Sequence, residues 1–239
     1  MSLLVCDKVV KRFGGLAALN NISIRIEEGE RVGLIGPNGS GKTTLFNCIT
    51  SFYKTDSGRI SFRGREITNL PPNKINYAGI NRTFQIPRPF STMSVHENII
   101  TSKHFGGKEH DVFEPDKLLD LVGLKGKSSV EARQLNVQER KMLDLARALV
   151  TEPRLLLVDE VTAGLADSEA DNVANLLLSL NEQYKLTLLV VEHIMRFLKR
   201  IATRTYVLNH GEMLFEGPVE DALRDDRVVQ AYLGQEMEA

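Results

Sequence analysis

One octapeptide, residues 36–43, has the residue types and the spacing of a phosphate-binding loop. It fits the pattern G-x-x-x-x-G-K-[ST], and its residues are Gly36, Pro37, Asn38, Gly39, Ser40, Gly41, Lys42 and Thr43. Glycines let successive backbone N–H groups converge on phosphate oxygens, the lysine brings a positive charge to the outer phosphates, and the final hydroxyl can bind Mg²⁺. The sequence therefore predicts a site for a nucleoside triphosphate and Mg²⁺.

The segments on either side of the loop supply the context that such a loop needs. Residues 31–35 have the composition of a short buried strand, and residues 44–50, beginning with Thr44, have helical apolar spacing. The N-terminus of that helix adds partial positive charge beside the phosphates. A glycine-rich turn with a chance lysine is the alternative, and the strand-loop-helix order disfavours it.

Besides the loop, the sequence contains a pair of acidic side chains, Asp159 and Glu160, directly after the apolar run at residues 155–158. Such a run places both carboxylates at the carboxyl edge of a sheet, where open α/β sheets bind ligands. We expect Asp159 to hold Mg²⁺ and Glu160 to orient or deprotonate an attacking water. A solvated acidic pair after a core strand is the alternative, and the phosphate loop disfavours it.

Composition limits the function classes. The 239 residues include 30 basic and 31 acidic side chains, so the chain lacks the basic footprint of a nucleic-acid partner. Cys6 and Cys48 have no metal spacing, which indicates buried thiols in a reducing compartment. No apolar run is long enough to cross a bilayer, and an acid at position 7 comes too early for a signal peptide. These features predict a cytoplasmic chain.

Apolar patterning predicts two kinds of sheet. Residues 19–26 alternate as a half-buried antiparallel strand does, and residues 59–62 and 66–67 look like further short strands beside it. The continuous apolar runs at 155–158 and 187–191 are instead typical of parallel strands buried on both faces.

Helical patterns occur between these runs at 168–183, and in the middle of the chain at 95–103, 115–122 and 137–150. The predicted fold class is α/β, with a mostly parallel nucleotide-binding sheet, an N-terminal antiparallel β-layer and an inserted helical subdomain. We expect the core to comprise residues 1–85 and 148–239, and the helical subdomain residues 86–147.

With these motifs the chain resembles, almost end to end, the nucleotide-binding subunit of an ATP-binding cassette (ABC) transporter. Arg82-Thr83-Phe84-Gln85 resembles the glutamine loop of that family, and Val191-Glu192-His193 resembles its switch histidine. Phe13 stands where the family stacks an aromatic ring on adenine. The resemblance implies a P-loop NTPase core that hydrolyses ATP with Mg²⁺, with Gln85 near the metal and His193 at the γ-phosphate. Each residue has a plain alternative: Gln85 could be a polar loop residue, His193 an exposed residue at a strand end, and Phe13 a core residue.

Finer matches resemble the ATP-binding subunit of high-affinity branched-chain amino acid importers. They are Arg12-Phe13-Gly14-Gly15-Leu16, Phe46-Asn47-Cys48-Ile49-Thr50-Ser51-Phe52-Tyr53, Gly79-Ile80-Asn81-Arg82-Thr83-Phe84-Gln85, Ala163-Gly164-Leu165 and Ala231-Tyr232-Leu233-Gly234. This resemblance implies an importer for branched-chain amino acids or a related amino acid or amide. The implied partners are a second nucleotide-binding subunit, two transmembrane permease subunits and, indirectly, a solute-binding protein. The implied location is peripheral, on the inner face of the cell membrane.

One motif departs from the family pattern. Leu135-Asn136-Val137-Gln138-Glu139, here called the signature segment, stands where the family has Leu-Ser-Gly-Gly-Gln and reaches across a dimer to the partner's nucleotide. Asn136 can still donate a hydrogen bond there, but Val137 and Gln138 add side chains, and Glu139 brings a carboxylate toward the triphosphate. We expect a weakened site on the partner, and hence a heterodimer. A helix start that is merely capped is the alternative.

Two further segments leave alternatives open. After Glu160 the chain has Val161 in place of the family's usual proline, and Asp167 either bridges the dimer or caps the following helix. Residues 86–90 contain two prolines and form either a docking surface for a membrane subunit or a plain loop. Two other functions also remain open: a soluble ABC ATPase without a transporter, and a regulatory subunit that binds ATP but hydrolyses it poorly.

Overall fold

The structure, a computed structural model, describes residues 2–106 and 113–236. Its strands over those residues are β1 (Ser2–Phe13), β2 (Leu16–Glu27), β3 (Arg31–Ile35), β4 (Ser57–Phe62), β5 (Arg65–Glu66), β6 (Ile80–Arg82), β7 (Leu155–Asp159), β8 (Thr187–Val191), β9 (Arg204–Asn209) and β10 (Glu212–Gly217). Its α-helices over the same ranges are α1 (Lys42–Ile49), α2 (Pro72–Ala78), α3 (Val95–Gly106), α4 (Pro115–Leu121), α5 (Val137–Leu149), α6 (Asp167–Tyr184), α7 (Met195–Ile201), α8 (Val219–Ala222) and α9 (Asp226–Glu236).

The main sheet has six strands in the order β10-β9-β3-β8-β7-β6. Strands β9, β3, β8, β7 and β6 run parallel, and only the edge strand β10 is antiparallel to its neighbour. Strands β3, β8 and β7 therefore all end at the same edge. That edge carries the phosphate loop, His193 and the Asp159-Glu160 pair, as the α/β prediction requires.

A second sheet, with the order β2-β1-β4-β5, is antiparallel throughout. It confirms the predicted antiparallel layer. Side chains of β1, β2 and β4 share one apolar core with α1 and with one face of the main sheet. The layer thus packs beside the phosphate loop and its helix.

Strand β7 shows why its apolar run is continuous. Leu155 and Leu157 point into the core shared with the antiparallel layer, whereas Leu156 and Val158 point into a second core on the other face. Because both faces are covered, residues 155–158 are all apolar, and the first polar side chain of the strand is Asp159 at its carboxyl end.

The second core joins the helical segment to the sheet. Val95 and Ile99 of α3 and Leu118 of α4 belong to the same buried cluster as Val158 and as Val173 of α6. Helices α3 and α4 lie within the predicted subdomain, whereas α5 runs two residues beyond the predicted end of the subdomain at 147. All three helices match the predicted helical stretches to within a few residues. The division at residues 85/86 and 147/148 stays a prediction.

Among the described residues, no helix combines the length and the apolar character needed to cross a membrane.

Candidate nucleotide site at the carboxyl edge of the main sheet

The phosphate loop leaves β3 and enters α1 in a conformation that needs glycine at two places. Gly36 has φ +147°, and a Cβ there would lie 2.1 Å from the carbonyl oxygen of Leu208. Gly41 has φ +108°, and a Cβ there would lie 2.6 Å from the carbonyl oxygen of Ala18. The backbone of the loop is thus pressed against two strands at its ends, while Asn38 and Gly39 are exposed at its tip.

Lys42 folds back over this loop. Its Nζ donates to the carbonyl oxygens of Gly36 at 2.7 Å and of Pro37 at 2.9 Å. Burial lowers the pKa of the Lys42 ammonium, and the negative charges of Glu160 and Asp159 oppose that shift. The lysine of the loop and the acid pair therefore lie close enough to interact.

Asp159 ends β7 and has one oxygen engaged and one free of protein partners. Its Oδ2 accepts from Nη2 of Arg82 at 2.9 Å. Its Oδ1 is buried and has no hydrogen-bond partner among the described residues. Burial raises the pKa of the Asp159 carboxyl, against the opposing charge of Arg82. A buried carboxylate oxygen in this state is suited to a cation or an ordered water.

Both carboxylate oxygens of Glu160 contact a neighbouring side chain. Its Oε2 accepts from Nε2 of Gln85 at 2.6 Å, and its Oε1 lies 3.0 Å from Nε2 of His193. The residue has φ +47°, a left-handed conformation that is costly for a residue with a side chain. The predicted catalytic side chains Gln85, Glu160 and His193 thus form one group. Together with Lys42 and Asp159, we call them the carboxyl-edge cluster.

The loop after Glu160 is held by two buried charged residues that the sequence did not single out. Nζ of Lys141, in α5, donates to the carbonyl oxygens of Glu160 at 3.0 Å and of Ala163 at 2.6 Å. Oε1 of Glu192 accepts from the backbone N–H of Thr162 at 2.8 Å. Burial raises the pKa of the Glu192 carboxyl. These contacts fix the backbone that carries the Glu160 side chain.

Two further buried residues of the site, Arg82 and Asp144, were also given no role from the sequence. Arg82 is buried and reaches Asn47 of α1 as well as Asp159, and its guanidinium lies 4.6 Å from the ring centre of Phe84. Asp144 accepts from the backbone N–H of Phe84 at 2.8 Å, and burial raises its pKa to about 6.

A signal for two of the missed residues does exist in the sequence. Lys141 and Asp144 share the buried face of α5 with Leu145 and Ala148, at helical spacing. A charged residue on the apolar face of a predicted helix indicates a buried polar contact.

Phe13 lies at the end of β1 and is 44% exposed, which excludes the interpretation as a core residue. Its ring packs edge-to-face on Tyr53, with centroids 5.2 Å apart, and Nζ of Lys11 lies 5.3 Å from its ring centre. An exposed aromatic platform of this kind can stack on a planar ligand.

The signature segment forms a capped helix start. Oδ1 of Asn136 accepts from the backbone N–H of Glu139 at 2.8 Å, and Glu139 Oε2 accepts from the backbone N–H of Asn136 at 3.0 Å. Lys127 forms an ion pair with Glu139, and its hydrogen bond lowers the pKa of that carboxyl. The backbone at 137 and 138 is helical, so neither residue has the positive φ that would favour glycine there. The negative charge expected toward the partner's nucleotide is partly offset within the chain.

Asp167 is the first residue of α6 rather than its cap, because Ala166 occupies the cap position. Glu169 accepts from the backbone N–H of Ala166 at 2.8 Å, and Asp167 pairs with Arg196 at 3.4 Å. The capping interpretation of Asp167 is therefore wrong.

Ile86, Arg88 and Phe90 line a groove of about 610 Å³. The groove reaches inward to Thr43, Gln85 and Asp159. Ile86 is 72% exposed, and Phe90 and Phe84 are partly exposed beside it. The groove connects an apolar outer surface to the residues of the nucleotide site.

The side chains fit a magnesium ion that arrives with nucleotide. Thr43 is exposed at the start of α1, Gln85 lines the same groove, and Oδ1 of Asp159 lacks a partner among the described residues. Hydroxyl, amide and carboxylate oxygens are the ligands that Mg²⁺ prefers. Within residues 2–106 and 113–236, no group of three or more His, Cys, Asp or Glu side chains is arranged to hold a metal.

Comparison with known proteins gives one consistent match. The family model described as ABC transporter matches residues 19–163, which is more than half of the chain. The chain is 36% identical to the high-affinity branched-chain amino acid transport ATP-binding protein LivG of Salmonella typhimurium, over 98% of each protein. It is 35% identical to the corresponding protein BraF of Pseudomonas aeruginosa, again over 98% of each.

The fold also matches a crystal structure described as the ADP conformation of an ATP-binding cassette of an ABC transporter. The TM-score is 0.86 at 33% sequence identity, with 98% of this chain and 99% of the other covered.

Proposed function

Because this chain belongs to the ABC transporter family, as an ATP-hydrolysing subunit that energises an importer, we propose that the imported solute is a branched-chain amino acid or a related amino acid or amide. The names of the Salmonella and Pseudomonas relatives support this solute class. In such transporters the resemblance assigns solute recognition to other subunits, so the support is family likeness and not a pocket in this chain.

The observation that carries the proposed chemistry is the position of Glu160 between Gln85 and His193, at 2.6 and 3.0 Å. A carboxylate held at both oxygens next to Lys42 and Asp159 can accept a proton from the water that attacks the γ-phosphorus. His193 then orients toward the γ-phosphate, and Lys42 moves from the Gly36 and Pro37 carbonyls to phosphate oxygens.

The remaining nucleotide contacts follow from the loop. The backbone N–H groups of residues 39–44 surround the phosphates at the start of α1, where the helix dipole favours anions. The Phe13–Tyr53 platform stacks on adenine. Thr43, Asp159 and Gln85 would hold Mg²⁺, which when bound offsets the negative charge that develops on the phosphate oxygens.

The chain works as one of two nucleotide-binding subunits, and we infer that its partner is a different chain. The carboxyl-edge cluster is intact, whereas the signature segment, which such a subunit offers to its partner, lacks both glycines. Val137 is 68% exposed and would occupy the space that glycine leaves at the partner's nucleotide. A second subunit that retains its glycines would place the competent site on this chain's phosphate loop, and Asn136 would contact the nucleotide of that subunit.

The groove beside residues 86–90 is the surface we assign to the membrane subunits. Phe84, Ile86 and Phe90 expose apolar area at its rim, which is typical of a protein docking site. A pair of permease subunits held there would place the chain on the inner face of the cell membrane as a peripheral component. A solute-binding protein would meet the permeases on the other side.

The test is co-expression of this chain with the permease and cassette genes that accompany it, followed by reconstitution in vesicles that contain ATP. We expect ATP-dependent uptake of radiolabelled leucine or a related amino acid, and no uptake of a sugar. The Glu160→Gln variant should assemble normally and abolish uptake. A chain that never co-purifies with a membrane subunit would instead favour a soluble ABC ATPase.

A further inference from the structure

The C-terminal helix makes a direct contact with the phosphate loop. The backbone N–H of Gly36 donates to the hydroxyl oxygen of Tyr232 in α9, with an N···O distance of 2.8 Å. The ring of Tyr232 packs against a small apolar cluster that includes Ile35 of β3 and Val207 of β9. The two partners are 196 positions apart in the sequence.

Gly36 is a sensitive point of the loop. It is buried, its φ of +147° suits glycine only, and its carbonyl oxygen accepts from Nζ of Lys42 at 2.7 Å. Tyr232 therefore holds the N–H of the same residue whose carbonyl holds the lysine that faces the phosphates. A buried N–H without this hydroxyl would have to find another partner, and the start of the loop would shift.

A second tyrosine provides a comparison. The hydroxyl of Tyr206 is also bonded to backbone, since it accepts from the N–H of Arg25 at 3.0 Å and donates to the carbonyl of Arg25 at 2.9 Å. Those contacts join β9 to β2 and do not involve the phosphate loop. Tyr232 thus differs from an ordinary buried tyrosine in the identity of the group that it holds.

We propose that Tyr232 is a positioning residue for nucleotide binding, through which α9 holds the first residue of the phosphate loop in its binding conformation. The proposal rests on the proposed function only in assigning ATP to that loop. Without the hydroxyl, the nucleotide-free loop populates other conformations, and binding must reverse that population. Since Gly36 lies at the start of the loop, the loss is the same for ATP and for ADP.

The experiment compares Tyr232→Phe with Tyr206→Phe in the full chain. Each removes one hydroxyl and keeps the ring. We expect Tyr232→Phe to raise the Kd for fluorescent ATP and ADP analogues about fivefold, equivalent to roughly 1 kcal/mol, and to raise the KM for ATP while kcat stays within about twofold. Tyr206→Phe should leave both Kd values unchanged, even where it lowers the melting temperature.

Two outcomes would overturn the proposal. One is an unchanged Kd for Tyr232→Phe, and the other is an equal increase of Kd in both tyrosine variants. Should Tyr232→Phe not fold, hydrogen exchange of the wild-type Gly36 amide decides the matter, because we expect protection without nucleotide and fast exchange would contradict it. Failure of the wild-type chain to bind nucleotide would refute the assignment of the phosphate loop itself, which is a separate result.

Discussion

The carboxyl-edge cluster and the signature segment have opposite electrostatics. At the cluster, burial raises the pKa of Asp159 and of the neighbouring carboxyls of Asp144 and Glu192. At the signature segment, a hydrogen bond from Lys127 lowers the pKa of Glu139. The cluster holds carboxylates that a bound cation can stabilise, whereas the signature segment is satisfied without any ligand. Asp159 therefore keeps a buried oxygen available to a cation, whereas Asn136 and Glu139 at the signature segment are already bonded within the chain.

The largest expected effect comes from the cluster. Glu160→Gln removes the carboxylate that we propose as the proton acceptor and keeps the shape of the side chain. We therefore expect turnover to fall by ~10²–10⁴-fold with ATP affinity retained. The ATP-bound dimer should accumulate, and size-exclusion chromatography with ATP measures it. Glu216→Gln makes the same chemical change at an exposed position of the edge strand β10 and should leave turnover unchanged. Wild-type phosphate release by Glu160→Gln would exclude Glu160 from the chemistry.

Next in size is the loss of the loop lysine. Lys42→Ala removes the ammonium group that we propose to bind the outer phosphates. We expect ATP affinity to fall by about 10²-fold or more, since charge-assisted hydrogen bonds contribute roughly 1.5–3 kcal/mol each. Fluorescent nucleotide titration measures this. Lys125→Ala alters an exposed lysine and serves as the control. Retained affinity in Lys42→Ala would move the nucleotide site away from the phosphate loop.

A third test addresses the raised pKa values behind the cluster. Burial raises the pKa of Asp144 in the folded state to about 6, above the ordinary value of about 3.9 for an aspartate in an unfolded chain. Folding is therefore penalised increasingly as the pH rises from the unfolded to the folded pKa, and the penalty is constant above that range. Asp144→Asn lacks the titration and keeps an acceptor for the Phe84 N–H. We expect wild type to lose about 1 kcal/mol of stability relative to this variant between pH 5 and pH 7, out of about 3 kcal/mol in total. Urea unfolding at both pH values measures it, and a pH-independent difference would contradict it.

The smallest effect is expected at the signature segment. Val137→Gly, Gln138→Gly and Glu139→Gln together restore the family pattern, and we expect the isolated chain to hydrolyse ATP faster, by less than about tenfold. The gain is limited because the backbone is already helical, so the ~1–2 kcal/mol cost of a left-handed residue is absent, and because Lys127 offsets Glu139.

The matched control for this last test is Glu139→Gln alone, which keeps the capping box and should change the rate less than twofold. The measurement is ATPase rate against protein concentration. Fast, cooperative turnover by the unmodified chain, with no improvement in the triple variant, would show that the altered segment is a tolerated substitution and would remove the reason for a heterodimer.

The sequence predicted the features whose chemistry lies in contiguous residues. The phosphate loop, the acid pair after β7 and the apolar runs of β7 and β8 are all local patterns, so one stretch of sequence contains the whole signal. Strand β1 was not predicted because its pairing with β2 contains several register shifts, which break the apolar alternation. Strand β6 has three residues, too few for a periodic signal.

The supporting contacts of the site were not predicted because they depend on tertiary packing. Arg82 and Asp159 are 77 positions apart, and Lys141 and Ala163 are 22 apart. The residues next to Arg82 or Lys141 in the sequence do not indicate which distant residue each side chain contacts. The exposure of Phe13 and the first-turn position of Asp167 likewise follow from where β1 ends and where α6 begins, which sequence patterns locate only to within a few residues.

The left-handed backbone of Glu160 affects which substitutions at this position selection would favour. Glycine or asparagine would adopt φ +47° at lower energy, by about 1 kcal/mol for glycine. Selection for heat resistance alone, in a library that varies position 160, should therefore enrich substitutions that relax the turn. The selected variants would be more stable to heat and would lack the carboxylate that we propose as the proton acceptor. Selection for stability therefore favours a different residue at position 160 from selection for ATP hydrolysis, and only a screen for turnover would keep the glutamate.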